Sequence, residues 1–274
     1  MNRTSKLAIV SLCSIAAFIV SCSQVAVTGR RQFNLVPEST INSMSAQAYG
    51  EFLSANPVSG NAQQTDMVRR IGHRIQAAVE KYCSENGIAD RLAGYQWEFN
   101  LVEDPSVNAW AMPGGKVVVY TGMLPVAQTE TGLAVVMGHE IAHAVARHGA
   151  ERMTQGLIVE MGGMALSEAL TKYPTQTQEL FVQSFNLGTQ YGVLLPYSRV
   201  QEEEADHMGL IFMAMAGYDP REAVSFWQRM AAQGEGQQRP PEFLSTHPAE
   251  ATRIENLKKL MPTAMGYYEP TTSR

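Results

Sequence analysis

His139-Glu140-Ile141-Ala142-His143 sets two histidines four residues apart with a glutamate directly after the first. Residues at i and i+4 share one face of an α-helix. Both imidazoles can then converge on one metal ion at about 2.0–2.1 Å, and zinc is the usual choice for nitrogen ligands. Glu140 lies one step round the same helix. There it can reach a water on the metal and act as general base without ligating. The chemistry in view is hydrolysis of an amide bond. The chain has only six histidines in 274 residues, so the pattern is specific.

A catalytic zinc, one per chain, needs a third protein ligand and an open position. A third histidine at metzincin spacing is excluded, because Ala146 and Gly149 stand where Gly and His would be required. His148 lies about 180° round the helix from His139. It reads as pointing away from the metal, a charge partner for the helix C-terminus. A carboxylate is the other option. Glu202-Glu-Glu-Ala-Asp206 places Glu202 and Asp206 on one helical face. Glu202 can ligate while Asp206 accepts the N–H of a ligating histidine. Glu203 and Glu204 then face solvent. His247 and Arg253 follow a Gly/Pro-rich stretch and are candidates to stabilise the oxyanion of the transition state. His247 is also a candidate latch on the open metal position, against a plain helix-capping role.

These residues need elements to position them. Leu133, Val136, Met137, Ile141, Ala144 and Val145 recur at helical spacing and give the metal helix a face to bury. Thr129 or Thr131 is its expected N-cap and Gly149 its stop. Before it, Trp97–Glu103 alternates bulky and polar residues, and Lys116–Tyr120 is apolar and β-branched. Between them, Asn108-Ala-Trp-Ala-Met-Pro-Gly-Gly115 reads as an elaborated turn. Its segment Asn108, Ala109, Trp110, Ala111 and Met112 is the candidate edge that pairs with an extended substrate backbone, against a purely structural turn. Further helices are expected over 37–55, 65–85, 150–170, 195–216, 220–232 and 245–260, with residues 171–195 forming a loop over the cleft that continues into helix. The fold class is therefore α+β, mostly helical, with a small β-sheet beside the active-site helix.

The N-terminus reads as a targeting segment. Arg3 and Lys6 precede an uncharged apolar run from Leu7 to Val20, too short for a comfortable transmembrane helix. Ile19-Val-Ser-Cys22 resembles a lipobox, which makes Cys22 the lipidated residue of a membrane-anchored lipoprotein; an ordinary signal peptide is the alternative. The division expected is a signal peptide over 1–21, a tether and helix over 22–60, and a zinc metalloprotease domain over 61–274. Arg30 and Arg31 read as solvated residues of the tether. The formal net charge of −5 deepens when Arg3 and Lys6 leave, which argues against nucleic acid as a partner. Cys83 reads as a small core residue.

Gly138-His-Glu-Ile-Ala-His143, Ser198-Arg-Val-Gln-Glu-Glu-Glu-Ala-Asp206, Thr246-His-Pro248 and Arg253, preceded by the 108–115 segment, resemble the bacterial zinc metalloproteases of the CAAX-prenyl-protease and HtpX group, peptidase family forty-eight. The resemblance is nearest to the periplasmic lipoprotein members of the LoiP and BepA type, without the C-terminal helical repeats of the latter. It implies a zincin-like (gluzincin) catalytic domain, Glu202 as third ligand and Asp206 as its neighbour's orienting carboxylate. It also implies proteolysis of misassembled proteins in the bacterial envelope, on the periplasmic face. Ser23 after Cys22, rather than Asp, points to the outer membrane as the site of the anchor. A chaperone or scaffold on the same fold, or another zinc amidase, stays open on the residues alone.

Overall fold

A computed structural model describes residues 22–185, 198–234, 241–248 and 251–270. The signal-like segment 1–21 lies outside them. The described chain opens with a short antiparallel hairpin, β1 (Cys22–Gln24) and β2 (Arg31–Phe33). Helix α1 (Glu38–Ala55) and helix α2 (Ala62–Glu85) follow. In α2, Val68, Ile71, Ile75, Val79 and Tyr82 recur at three and four and are all buried, and the Asn61 side chain accepts the Gln64 amide as N-cap.

Strands β3 (Glu98–Val102), β4 (Ala109–Met112) and β5 (Lys116–Tyr120) form a sheet in the order β3-β5-β4. β5 runs parallel to β3 and antiparallel to β4. The segment read as an elaborated turn is thus a strand in its own right, and only Pro113-Gly114-Gly115 turns. Gly114 and Gly115 hold φ of 80° and 81°, and a Cβ on Gly115 would come within 2.8 Å of the Trp97 ring. Side chains alternate between two cores. Phe99, Leu101, Ala111, Val117 and Val119 join α2 on one side, while Trp110, Met112, Val118 and Tyr120 join α1 on the other.

The central helix α3 (Glu130–Ala146) is buried along nearly its whole length. Thr129 caps it by accepting the Gly132 amide. Its end differs from expectation. Arg147 takes a left-handed conformation (φ 64°) and stops the helix, and Gly149 falls inside α4 (His148–Met161), against the Phe185 ring. The apolar run expected to continue to residue 170 is cut by Gly162 and Gly163, both at positive φ. Two helices follow: α5 (Leu166–Lys172), mostly within the run expected to be helical, and α6 (Pro174–Phe185), where a loop continuing into helix was expected. Residues 186–195 lie outside the described residues.

Helix α7 (Arg199–Met215) begins with a capping box between Ser198 and Gln201. It crosses α3 at two glycines. A Cβ on Gly209 would lie 3.0 Å from the His139 amide nitrogen, and one on Gly138 would lie 3.1 Å from the Gly209 carbonyl. Backbones can approach this closely only because both positions lack a side chain. Helix α8 (Glu222–Gly234) packs on α3. The single last helix expected over 245–260 is two, α9 (Glu242–Thr246) and α10 (Ala251–Met265), with His247 and Pro248 between them. Among the described residues, no helix is long and apolar enough to cross a membrane.

Candidate metal centre

The glycine crossing of α3 and α7 brings the two halves of the site together. His139 and His143 project from α3, Glu202 and Asp206 from the first turns of α7, His247 from the α9–α10 junction and Arg253 from α10. One donor atom each from His139, His143, Glu202 and His247 lie within 4.8 Å of one another, and all four residues are buried.

The spacing fits a metal ion. Two donors at about 2.0 Å from a tetrahedral centre are roughly 3.3 Å apart. Here the Nε2 atoms of His139 and His143 are 3.0 Å apart. Glu202 oxygens lie 3.2 Å from His143 Nε2 and 3.6 Å from His139 Nε2. His139 also lies with its Nδ1 2.9 Å from Asp206 Oδ1. A carboxylate only accepts, so Nδ1 carries the proton and Nε2 is left with its lone pair aimed into the cluster. Its neighbours there are His143 Nε2 and a Glu202 oxygen, with an Arg253 NH group 3.4 Å away, and a cation among these donors would satisfy the lone pairs that converge.

The surrounding charges agree. Burial pushes His139 below its ordinary range and His143 well below it, so both favour the neutral form that ligates. Burial opposes ionisation of Glu202, yet His247, Arg253 and His139 hold it well below the usual carboxylate range. Arg253 donates to Glu202 Oε2 (2.8 Å) and to Asp206 Oδ1 (2.6 Å), and its guanidinium carbon stacks 3.2 Å over the Trp227 ring. The NH groups of Arg253 thus hold the two carboxylates of α7. His247 Nδ1 sits 2.8 Å from Glu202 Oε1 and 3.2 Å from His139 Nε2, and its Nε2 is 3.4 Å from Glu140 Oε1.

Glu140 points into the same space. Burial pushes its carboxyl up to about 7, against the His247 charge and a hydrogen bond from the Ala111 backbone. Its Oε1 has no hydrogen-bond partner among the described residues. A buried oxygen without a hydrogen bond, 3.4 Å from His247 Nε2 and beside a cluster that could hold a metal, leaves a place for a water.

The Ala111 contact ties the strand β4 to the site. β4 lies at the edge of the sheet and packs on α3. The side chains of Ala109, Trp110, Ala111 and Met112 are buried, so what the segment can offer a peptide is its backbone. Trp110 packs edge-on to Phe52, with ring centres 4.9 Å apart. Asn108 is also buried, and its Oδ1 accepts the Ala109 amide at the strand start.

Three expectations are corrected here. His148 does not point away. Because α3 ends at Ala146 and the chain turns at Arg147, its Nδ1 lies 2.8 Å from His143 Nδ1. Glu204 does not face solvent but is buried, 3.1 Å from His148 Nε2. Arg30 is not a solvated tether residue but pairs with Glu204 and Glu151. Glu203 is exposed, as expected, and accepts a hydrogen bond from Asn256.

The chain matches Peptidase family M48 over residues 71–261. It is 35% identical over 241 residues to the mitochondrial metalloendopeptidase OMA1 of Schizosaccharomyces pombe, covering 88% of this chain and 66% of that protein. It is 32% identical over 254 residues to the human mitochondrial metalloendopeptidase OMA1, 90% of this chain and 46% of that one. With the beta-barrel assembly-enhancing protease of Yersinia pestis it shares 30% identity over 165 residues, 59% of this chain and 34% of that protein. The chain spans between about a third and two thirds of the length of these three relatives. The family match runs through every residue that the crossing of α3 and α7 gathers, from His139 to Arg253, and the chain belongs to peptidase family M48.

Proposed function

We propose that this protein is a zinc-dependent endopeptidase in which His139, His143 and Glu202 hold the metal and Glu140 is the general base. The observation that carries the reading is the convergence of two histidine Nε2 lone pairs and a buried carboxylate beside an orphaned glutamate oxygen. Zinc, when bound, acts as a Lewis acid that polarises a peptide carbonyl and acidifies water. Glu140 Oε1 takes the proton of the attacking water and later delivers it to the leaving amine. A carboxyl near 7 is suited to both directions of that transfer. Asp206 fixes the His139 tautomer, and Arg253 keeps Glu202 and Asp206 in register. The outer edge of β4 would align the extended peptide through its backbone.

His247 occupies the side of the cluster that a substrate carbonyl would need. In this reading His247 is a latch on the metal site that must withdraw before turnover. Beyond the site, the reading extends to substrates among misassembled envelope proteins and to a lipid anchor on Cys22. The lipobox-like Ile19–Cys22 supports the anchor, and the bacterial assembly-enhancing relative supports the envelope setting.

Zinc content and casein cleavage, measured for the purified chain and for Glu140→Gln, test the core of this reading. One zinc per chain in both, with cleavage reduced by about 10²–10⁴ in the variant, is expected. Cleavage that survives the substitution would remove Glu140 as the base, and a chain without zinc would remove the metal site.

A further inference from the structure

His139 has its orienting carboxylate in direct contact, Asp206. His143 does not: its Nδ1 faces another imidazole, that of the fully buried His148, at 2.8 Å. Behind His148 stands Glu204, with Oε2 3.1 Å from His148 Nε2. Glu204 is held in turn from the N-terminal hairpin. Thr28 Oγ1 donates to its Oε1 (2.8 Å), and Arg30 Nε lies 2.9 Å from both of its oxygens. The two terminal NH groups of Arg30 donate one hydrogen bond each to the two Glu151 oxygens, both at 2.7 Å, which fixes the guanidinium plane.

A neutral imidazole has one donor and one acceptor nitrogen. Glu204 only accepts, so His148 carries its proton on Nε2 and its Nδ1 is an acceptor. The nitrogen facing that acceptor must donate, so His143 carries its proton on Nδ1. Its Nε2 is then bare and turned into the cluster. Were His148 to take the other tautomer, both protons along the line would shift by one atom, and His143 would present an N–H to the metal.

We propose that residues 28–30 complete the metal site: Arg30 and Thr28 are positioning residues that clamp Glu204, and Glu204 sets the tautomer of the ligand His143 through His148. The hairpin lies outside the 71–261 family match, yet it is wired to a ligand at the centre of that match. Other contacts seat it independently. Val25 and Ala26 are buried in the core, and Gln32 Nε2 donates to the Ala146 carbonyl at the end of α3. Loss of the Arg30 or Thr28 side chain would therefore leave the hairpin seated and act on the site through the Glu204–His148 line. The inference rests on the zinc reading above.

The test measures Zn²⁺ affinity of the full chain by competition with a chromophoric chelator. The visible spectrum of the Co²⁺ form is recorded beside it, with thermal melting of each metal-free variant as the fold control. His148→Phe keeps the ring volume and removes both polar nitrogens. It should weaken Zn²⁺ binding about 10- to 100-fold and alter the Co²⁺ bands. His148→Gln supplies one donor and one acceptor and should restore affinity to within about threefold. Arg30→Ala should weaken binding at least about threefold although it touches no ligand. A folded His148→Phe or Arg30→Ala protein with unchanged affinity and spectrum overturns the proposal. So does an Arg30→Ala protein that melts earlier but binds Zn²⁺ normally. If His148→Phe does not fold, Arg30→Ala and Thr28→Val decide the matter in the same terms. Glu202→Ala separates the two levels: if it binds Zn²⁺ as the parent chain does, the metal site itself is misassigned.

Discussion

Replacing Arg253 by Met tests how the site holds itself together before any metal arrives. Arg253 is 6% exposed and makes two charged hydrogen bonds, to Glu202 and to Asp206, which are themselves 7% and 6% exposed. Hydrogen bonds to charged groups contribute about 1.5–3 kcal/mol each. Removing one partner of a buried ion pair costs about 3–5 kcal/mol, because the other charge stays buried. Methionine recovers part of the packing against Trp227, so about 3–5 kcal/mol is the expected net loss for the metal-free protein. For a chain of this size each kcal/mol moves Tm by about 2–4 °C, which gives a fall of about 6–20 °C. Bound zinc would replace the missing positive charge at Glu202 but not at Asp206, so the fall should shrink to roughly half in the zinc form. Melting is followed by circular dichroism with and without zinc. A fall below about 2 °C in the metal-free protein, or equal falls in both forms, would refute the assignment of Arg253 as the counter-charge.

Gly209→Ala pushes a methyl group against the His139 backbone, so stability should drop by about 1–3 kcal/mol. Zinc affinity should drop with it, because α7 carries Glu202 away from α3; a variant with the parent Tm and affinity would show that the crossing is not tight. His247→Ala should raise casein cleavage about tenfold at low substrate if the closed form holds about nine tenths of the molecules, and an unchanged rate would dismiss the latch. Glu151 lies below its usual range: burial works to raise it, and the Arg30 and Gln201 hydrogen bonds outweigh that. A depressed carboxyl stabilises above its unfolded value, near 4.5, and loses that contribution as pH falls. The Tm gap between the parent chain and Glu151→Gln should thus be wider at pH 6 than at pH 4; a constant gap would contradict the pairing.

His139, Glu140, His143, Glu202 and Asp206 were legible because each pair sits on one helix, where spacing alone dictates a shared face. The long helices and β3 and β5 were legible for the same reason, through periodicity. What was missed depends on where helices stop and what then packs on them. His148 was extrapolated along a helix that ends at Ala146, two residues too early for the extrapolation to hold. Arg147 has no sequence signal for a left-handed stop, since a glycine is the usual choice there. Glu204 looked like a solvated neighbour of Glu202 because its partners, Thr28, Arg30 and His148, come from elements far away in the chain. The Gly162-Gly163 pair was visible in the sequence, but whether it softens or cuts a helix is decided by tertiary packing.

Trp227 is 1% exposed, edge-on to the His139 ring with centres 5.7 Å apart, and carries the Arg253 cation on its face. An indole in that position feels the charge of the cluster directly, so its emission reports on the site from inside. Trp97 and Trp110 pack instead among the aromatic rings at the sheet and supply a steady background. Filling the cluster, or withdrawing His247 from it, therefore has an optical signature that requires neither a substrate nor an added dye.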